Sequence, residues 1–472
     1  MTLAPSITTP LTISTALEAL RKGELTSVEL MERCFGVSDA LDGDVGMYIS
    51  EFREQALDAA SRVDRQREAG LDPGPLAGIP VGIKDIITTA EGQTTAQSLV
   101  LDREWGRGDA VVVERLRSAG AIPTGKLTTM EFACAVPDPE HPFPIPRNPW
   151  ALDRWAGGSS SGSGSAVATG SVLGALGTDT AGSIRIPASY CGITGLMPTF
   201  GRVPKSGCVP LGYSLDHIGP MTRSARDSAI MLSAMAGHHP SDRSAIDAPV
   251  VAYEAALTGD LAGLSIGVDL TSGFDQVNPD SHLRALLDDA VLALERRGAT
   301  ITEVQLPHYE AATTAMMTIN AGESGAYHRV DTRTRLADYT VANRLSFGSG
   351  TRLTAADYVQ AQRARRVIHR EASRLFEHVD LVMTPTMFTG ALAFSDLDDR
   401  MSWFPTLNTP YWDLTGNPVL SVPIGFGEHG TPLAMQLAGR PFDEATVLRA
   451  GDAFQRETAW HLEVPPIAAN AA

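Results

Sequence analysis

"DRWAGGSSSGSGSAVATGSVLGALGTDTAGSIRIPAS", Asp153 to Ser189, is the stretch on which the reading of this 472-residue chain turns. Eight serines and eight glycines fall within its 37 residues. A flexible linker, a phosphate-binding loop and a nucleophile site can all share that composition. The linker fails first, because "AVATGSVLGAL" is an apolar run that a solvated Gly/Ser coil would not carry. A phosphate loop needs a lysine followed by a hydroxyl residue, and the stretch has no lysine. The nearest match, "GAIPTGKL" (Gly120–Leu127), puts Leu127 where the hydroxyl belongs and Pro123 where an N–H belongs. A third pattern, "GSSSG" (158–162), fits G-x-S-x-G with Ser160 as an elbow nucleophile. With eleven histidines in the chain, a partner is available and that reading stays open.

On either side of this stretch, strand and helix signals alternate, which places the chain in the α/β class. Residues 14–36 read as an amphipathic helix interrupted near Gly23, with Thr26 and Glu29 as a capping box. "GIPVGIKDII" (78–87) reads as a buried strand, 110–120 as a helix with a glycine stop, and "IPTGKLT" as the next strand. Six prolines between Pro137 and Pro149 predict an extended surface loop. "SAVATGSVLGALGTDT" reads as a buried helix of small residues. Strands are expected at 264–270, 380–385, "NPVLSVPIGF" and "PLAMQLAG". Helices are expected at 280–298, 354–378 and 444–456. Strand signals thin out over 238–330, which suggests a helical or variable insertion. No repeat or low-complexity linker divides the chain, so one domain over 1–472 is expected.

The charge balance is strongly acidic, with a net charge of −17. That opposes nucleic acid and anionic membranes unless a local basic patch exists. The densest basic run, Arg363, Arg365, Arg366 and Arg370, reads as one solvated helix face. The four cysteines, Cys34, Cys134, Cys191 and Cys208, form no CxxC pair and no zinc spacing, so reduced thiols are expected. No signal peptide and no membrane span is read, which suggests a cytoplasmic protein.

Three separated pieces then join. "GIPVGIKD" offers Lys84, "GGSSSG" offers Ser159 and "GTDTAGSIRIPAS" offers Ser183. With "PLAGIPVGIKD", "GGSSSGSGSAVATG", "LGTDTAGSIRIPASYCGITGLMPTFGRVP" and "SLDHIGPMTRSARD", the sequence resembles the amidase signature family, densely over 75–230. The resemblance implies a large mixed central β-sheet sandwiched between α-helices (α/β/α). It implies a Ser–cis-Ser–Lys triad of Ser183, Ser159 and Lys84, and an oxyanion hole from the backbone around Thr180, Ala181 and Gly182. It implies an acyl pocket at Ala133 and Cys134 in "EFACAV". No cofactor and no metal is called for. Taken alone, Lys84 reads equally as a strand-end lysine reaching for water. Within the triad it must be neutral, which burial favours. Asp179 with Arg185 is expected to fix the loop, and Asp227, Cys191 and His217 to be structural.

The expected function is a serine amidohydrolase cleaving the C–N bond of an amide, anilide or carbamate. The partner is a small uncharged, partly apolar substrate, with a homodimer left open. Trp403, Phe404, Tyr411 and Trp412 offer either an aromatic wall or core packing. The alternative is the glutaminase subunit of a glutamyl-tRNA amidotransferase, although Met197 and Phe200 depart from that subunit's wording. A third reading is an inactive scaffold on the same fold.

Overall fold

The computed structural model describes residues 10–102 and 104–469, so the N-terminal reading over residues 1–9 lies outside the described residues. Thirteen strands are present among them: β1 Tyr48–Glu51, β2 Pro80–Lys84, β3 Ile122–Leu127, β4 Arg147–Asn148, β5 Ala151–Trp155, β6 Gly174–Asp179, β7 Thr194–Met197, β8 His217–Thr222, β9 Ser265–Val268, β10 Thr300–Glu303, β11 Leu381–Pro385, β12 Val419–Phe426 and β13 Pro432–Gly439. Eleven form one mixed sheet in the order β1-β3-β2-β6-β8-β7-β12-β13-β11-β9-β10, and β4 with β5 makes a separate ribbon. The β3–β2–β6 and β11–β9–β10 runs are parallel, and the strands from β6 to β11 pair antiparallel. Every residue of β2, β3, β6, β8 and β13 is buried, as strands covered by helices on both faces must be.

Local chemistry explains most boundaries. The first helix ends at Lys22 because Gly23 turns left-handed at φ 70°, and a second helix, Ser27–Val45, opens on Thr26. There the Thr26 hydroxyl accepts from the Glu29 N–H at 3.1 Å, and the Thr26 N–H donates to the Glu29 carboxylate at 2.8 Å. Two expectations are corrected. "SAVATGSVLGALGTDT" is not one helix: Ser161–Thr169 is helical, Gly170 caps it at φ 82°, and 174–179 is strand β6. A run of small apolar residues has no period that separates buried helix from buried strand. The stretch 238–330 is not an appended insertion, because it supplies β9 and β10 to one edge of the sheet. Its strands are four residues long, and β10 is largely exposed, which weakens the sequence signal.

Candidate active site

The parallel register pairs Ile83 with Leu176 and so brings the ends of β2 and β6 side by side. Lys84 closes β2 and is completely buried. Asp85 turns elsewhere: it accepts from the Thr95 N–H at 3.1 Å and pairs with Lys126 at 3.5 Å. Lys126 is thus a core ion-pair residue within β3, not a phosphate ligand. Lys84 Nζ instead meets three hydroxyls: Thr178 Oγ1 at 2.7 Å, Ser159 Oγ at 2.8 Å and Ser160 Oγ at 2.9 Å. Burial pushes its pKa down to about 7, and the more distant Cys208, Asp179 and Asp216 only partly oppose the shift.

The serines next to Ser159 hold the helix to the sheet. Ser160 Oγ accepts from the Thr178 N–H and donates to the Thr178 carbonyl, both at 3.2 Å, in addition to its contact with Lys84. Ser163 donates to the Leu176 carbonyl at 2.9 Å and Ser165 to the Arg147 carbonyl at 3.1 Å. Ser161 donates to the Gly157 carbonyl. Ser160 occupies the N-cap position of the helix Ser161–Thr169 without a side-chain cap bond. Hydroxyls of this size satisfy backbone groups where helix and strand lie too close for larger polar side chains. Ser160 is therefore spoken for, which removes the elbow reading. The Gly158–Ser159 peptide is cis. A side chain at Gly158 would meet the Trp155 ring at 2.5 Å.

Beyond β6 the chain wraps around Asp179. Its carboxylate accepts from the N–H groups of Gly182 (2.5 Å) and Ile184 (3.2 Å), and from Arg185 Nε (3.0 Å). Arg185 reaches on to the Asp413 carboxylate (2.6 Å), Gln436 Oε1 (2.9 Å) and the Thr409 carbonyl (3.0 Å). The side chains of Asp179, Arg185 and Asp413 are all fully buried. Burial and the neighbouring Asp179 drive the Asp413 carboxyl well above its usual range. For Asp179, burial is outweighed by Arg185, and its carboxyl stays below that range.

This network corrects one expectation, because the Gly182 N–H is committed to Asp179 rather than free for an oxyanion. The N–H groups of Ala181 and Ser183 have no acceptor among the described residues. Gly182 still has to be glycine: its φ is 124°, and a Cβ would clash with Thr409 Oγ1. Ala181 lies outside the left-handed region, so its Cβ imposes no strain. The Thr180 hydroxyl donates to Asp216 at 2.7 Å.

Ser159, Thr180, Ala181 and Ser183 line one cavity with Ala133 and Cys134. Trp155, Ile186, Met317, Met401, Trp403, Phe404 and Leu407 give it apolar walls, and Asn320 and Ser346 add polar atoms. No lining side chain is charged. Phe132, Ala133 and Ala135 adopt left-handed backbone, at φ 49°, 59° and 69°. Buried Glu131 holds this bend against the helix Val341–Gly350: it accepts from Ser98 Oγ (2.6 Å), Thr340 Oγ1 (2.8 Å), the Thr340 N–H (2.9 Å) and Asn343 Nδ2 (3.1 Å). Burial pushes the Cys134 thiol up to about 11 and the Cys191 thiol to about 12, so neither is a thiolate nucleophile.

The structure divides the aromatic candidates. Trp403 and Phe404 face the cavity, whereas Tyr411 and Trp412 pack in the core. The proline-rich loop 137–149 contributes no lining residue. Met317, Asn320, Ser346, Met401 and Leu407 have no sequence signal, since each is an ordinary residue brought in by tertiary folding.

This geometry, a buried lysine amongst hydroxyls beside a serine-bearing loop on a mixed sheet, has a match among known proteins. The family model Amidase covers residues 29–448, and the chain belongs to the amidase signature family, enzymes that hydrolyse carbon–nitrogen bonds other than peptide bonds. It is 41% identical to one subunit of the glutamyl-tRNA(Gln) amidotransferase of Roseiflexus sp. (strain RS-1), over 97% of this chain and 98% of that protein. Among solved structures it resembles a chain from "an unexpected vestigial protein complex" bearing on an s-triazine catabolic enzyme, with TM-score 0.88, 32% identity, and coverage of 94% of this chain and 98% of that one. The native peptide amidase of Stenotrophomonas maltophilia matches with TM-score 0.84 and 29% identity, over 98% of this chain and 99% of that one.

Proposed function

We propose that this protein hydrolyses the C–N bond of neutral amides, anilides or carbamates with an apolar acyl group, acting without a partner subunit. The observation that carries this reading is the uncharged, aromatic-walled cavity that holds Ser183 and Ser159 next to buried Lys84. A neutral Lys84 donates two hydrogens and accepts one. Ser160 already donates to a backbone carbonyl. The Ser159 hydroxyl can therefore donate its proton to Nζ and accept the proton of Ser183.

Ser183 Oγ then attacks the substrate carbonyl carbon, and its proton passes by way of Ser159 to Lys84. The C=O π pair moves to oxygen, where the Ala181 and Ser183 N–H groups are free to receive it. As the tetrahedral centre collapses, the C–N bond breaks and the relay returns the proton to the departing nitrogen. The acyl group stays on Ser183 as an ester. Water attacks that ester, gives its proton to the relay, and releases acid and free Ser183.

A second reading, the glutaminase subunit of a tRNA amidotransferase, has the relatives in its favour. The cavity around Ser183 itself offers no charge to the ammonium and carboxylate of free glutamine, whose countercharges would have to come from Lys205, Arg243, Asp216 and Asp242 in the adjoining cavity. The test is hydrolysis of benzamide, benzanilide, an aryl carbamate and glutamine by purified protein alone. Turnover of the benzoyl substrates and none of glutamine is expected, with both lost in Ser183→Ala. Glutamine turnover alone, or activity only after a partner subunit is added, overturns the reading.

A further inference from the structure

Resting on the proposed hydrolysis, we infer that Asn320 is a specificity-determining residue: its Nδ2 donates a hydrogen bond to the acyl half of the substrate, so the preferred acyl group is an apolar body carrying one neutral oxygen acceptor. Asn320 lies in the helix Tyr309–Tyr327, three residues after Met317, and the two share a face and line the cavity that holds Ser183. This helix is fixed in place. A Cβ at Gly325 would come within 2.7 Å of the Gly350 backbone, and one at Gly350 would clash with the Ala321 carbonyl. It therefore packs backbone to backbone against the helix Val341–Gly350, which brings Ser346 to the same cavity. Asn320 also borders the nucleophile loop. A Cβ placed on Gly212 would lie 2.9 Å from Thr180 Cγ2 and 3.0 Å from Asn320 Oδ1, so the two side chains are neighbours.

The other polar side chains of this cavity are engaged or sealed. The Thr180 hydroxyl donates to Asp216, Ser346 Oγ lies 3.5 Å from Cys134 Sγ, and Ser159 and Ser183 take part in the proposed relay. The indole N–H groups of Trp155 and Trp403 lack partners, but both nitrogens are buried. Asn320 makes no side-chain hydrogen bond among the described residues. Its Oδ1 is buried against Gly212, whereas the residue as a whole is only half-buried, so Nδ2 is the end that meets the cavity. The reverse setting would bury both amide hydrogens without an acceptor, and buried N–H groups go unpaired less often than carbonyls.

A donor in an uncharged cavity selects a neutral acceptor. An acyl group without one strips water from Nδ2 and returns nothing, and a site built around a hydrogen bond discriminates against the analogue that lacks it. An ether or carbonyl oxygen restores the bond without bringing a charge among Trp155, Met317, Trp403 and Phe404. The unpaired Oδ1 is a cost to the fold that an apolar residue would avoid, and such costs are characteristic of positions kept for function.

The test compares the 2-, 3- and 4-acetylbenzamides with the matching isopropylbenzamides, which have nearly the same shape and no oxygen on the substituent. For at least one position, wild type is expected to favour acetyl over isopropyl in kcat/KM by about fivefold or more, the worth of one neutral hydrogen bond. In Asn320→Leu, and in Asn320→Asp at pH 8, where the side chain only accepts, that ratio is expected to fall to within about twofold of one. Asn320→Leu removes an unpaired buried carbonyl and is expected to melt no lower than wild type, which separates lost recognition from a lost fold. Calorimetric binding of the same six amides to Ser183→Ala, with and without Asn320→Leu, gives the ratio without turnover. No acetyl preference at any position, a preference that survives either substitution, or a lowered melting temperature in Asn320→Leu overturns the inference. If the preference is present in binding and wild type hydrolyses none of the six, the proposed function fails while the role of Asn320 stands.

Discussion

Lys84→Met separates the chemistry of the buried lysine from its effect on the fold, and the structure sets the size of both effects. Burial lowers the proton affinity of Lys84 from the ordinary 10.5 to about 7. At about 1.4 kcal/mol per tenfold, keeping this group costs the folded state about 5 kcal/mol below pH 7. Methionine has similar length and no charge. Its introduction removes that cost and breaks three hydrogen bonds, to Ser159, Ser160 and Thr178, at about 1 kcal/mol each. At pH 6 the variant is therefore expected to be more stable than wild type by roughly 2 kcal/mol.

The sign changes at higher pH. The folded lysine loses its proton near pH 7 and the unfolded one near 10.5, so between these values the unfolded chain binds more protons and wild-type stability rises with pH. By pH 9 about 3 kcal/mol of the penalty has gone, and Lys84→Met is expected to be less stable than wild type by about 1 kcal/mol. Turnover is expected to fall by about 10²–10⁴-fold at both pH values, the usual contribution of a positioned base. Urea titrations followed by circular dichroism at pH 6 and pH 9, beside benzamide hydrolysis, measure all three quantities. A variant destabilised equally at both pH values, or one within tenfold of wild-type turnover, refutes the reasoning.

Three further outcomes are expected. In wild type, kcat/KM for a neutral amide rises with pH through a midpoint near 7, because burial makes the neutral amine of Lys84 available there; a flat profile between pH 5 and 9 excludes Lys84 as the base. Gly182→Ala forces a Cβ against Thr409 at φ 124° and is expected to lower kcat at least tenfold and to lose roughly 1–3 kcal/mol in thermal melts; unchanged kcat would show that the nucleophile loop tolerates another path. Arg185→Met leaves the buried Asp179 and Asp413 without their cation and is expected to lose about 3–5 kcal/mol, whereas Asp413→Asn, at a carboxyl already driven towards its neutral form, loses less than half of that. Equal losses in the two variants would mean that Asp413 is charged.

What the sequence can and cannot reveal follows from where the information lies. Lys84, Ser159 and Ser183 sit in short local motifs; β2, which carries Lys84, is legible by its apolar run and the loop after β6, which carries Ser183, by its glycine, while away from the site the helix Ser27–Val45 is legible by its capping box. The boundary between the helix Ser161–Thr169 and β6 is illegible because small residues suit both states, and only the sheet's demand for a strand beside β2 decides it. The commitment of the Gly182 N–H to Asp179 is illegible for a related reason. Spacing alone places Asp179 near Arg185, but it does not show that the same carboxylate turns back onto the loop's own backbone. The cavity is hardest of all to read. Its walls come from segments near residues 133, 155, 181, 317, 346 and 403, and none of Met317, Asn320, Ser346 or Leu407 differs locally from a core or surface residue. Motifs record the reacting groups because the bond-breaking step is common to many substrates. Selectivity is spread over side chains whose only shared property is position, and this is how 41% identity to part of an amidotransferase can coexist with a cavity that offers no charge to an amino acid.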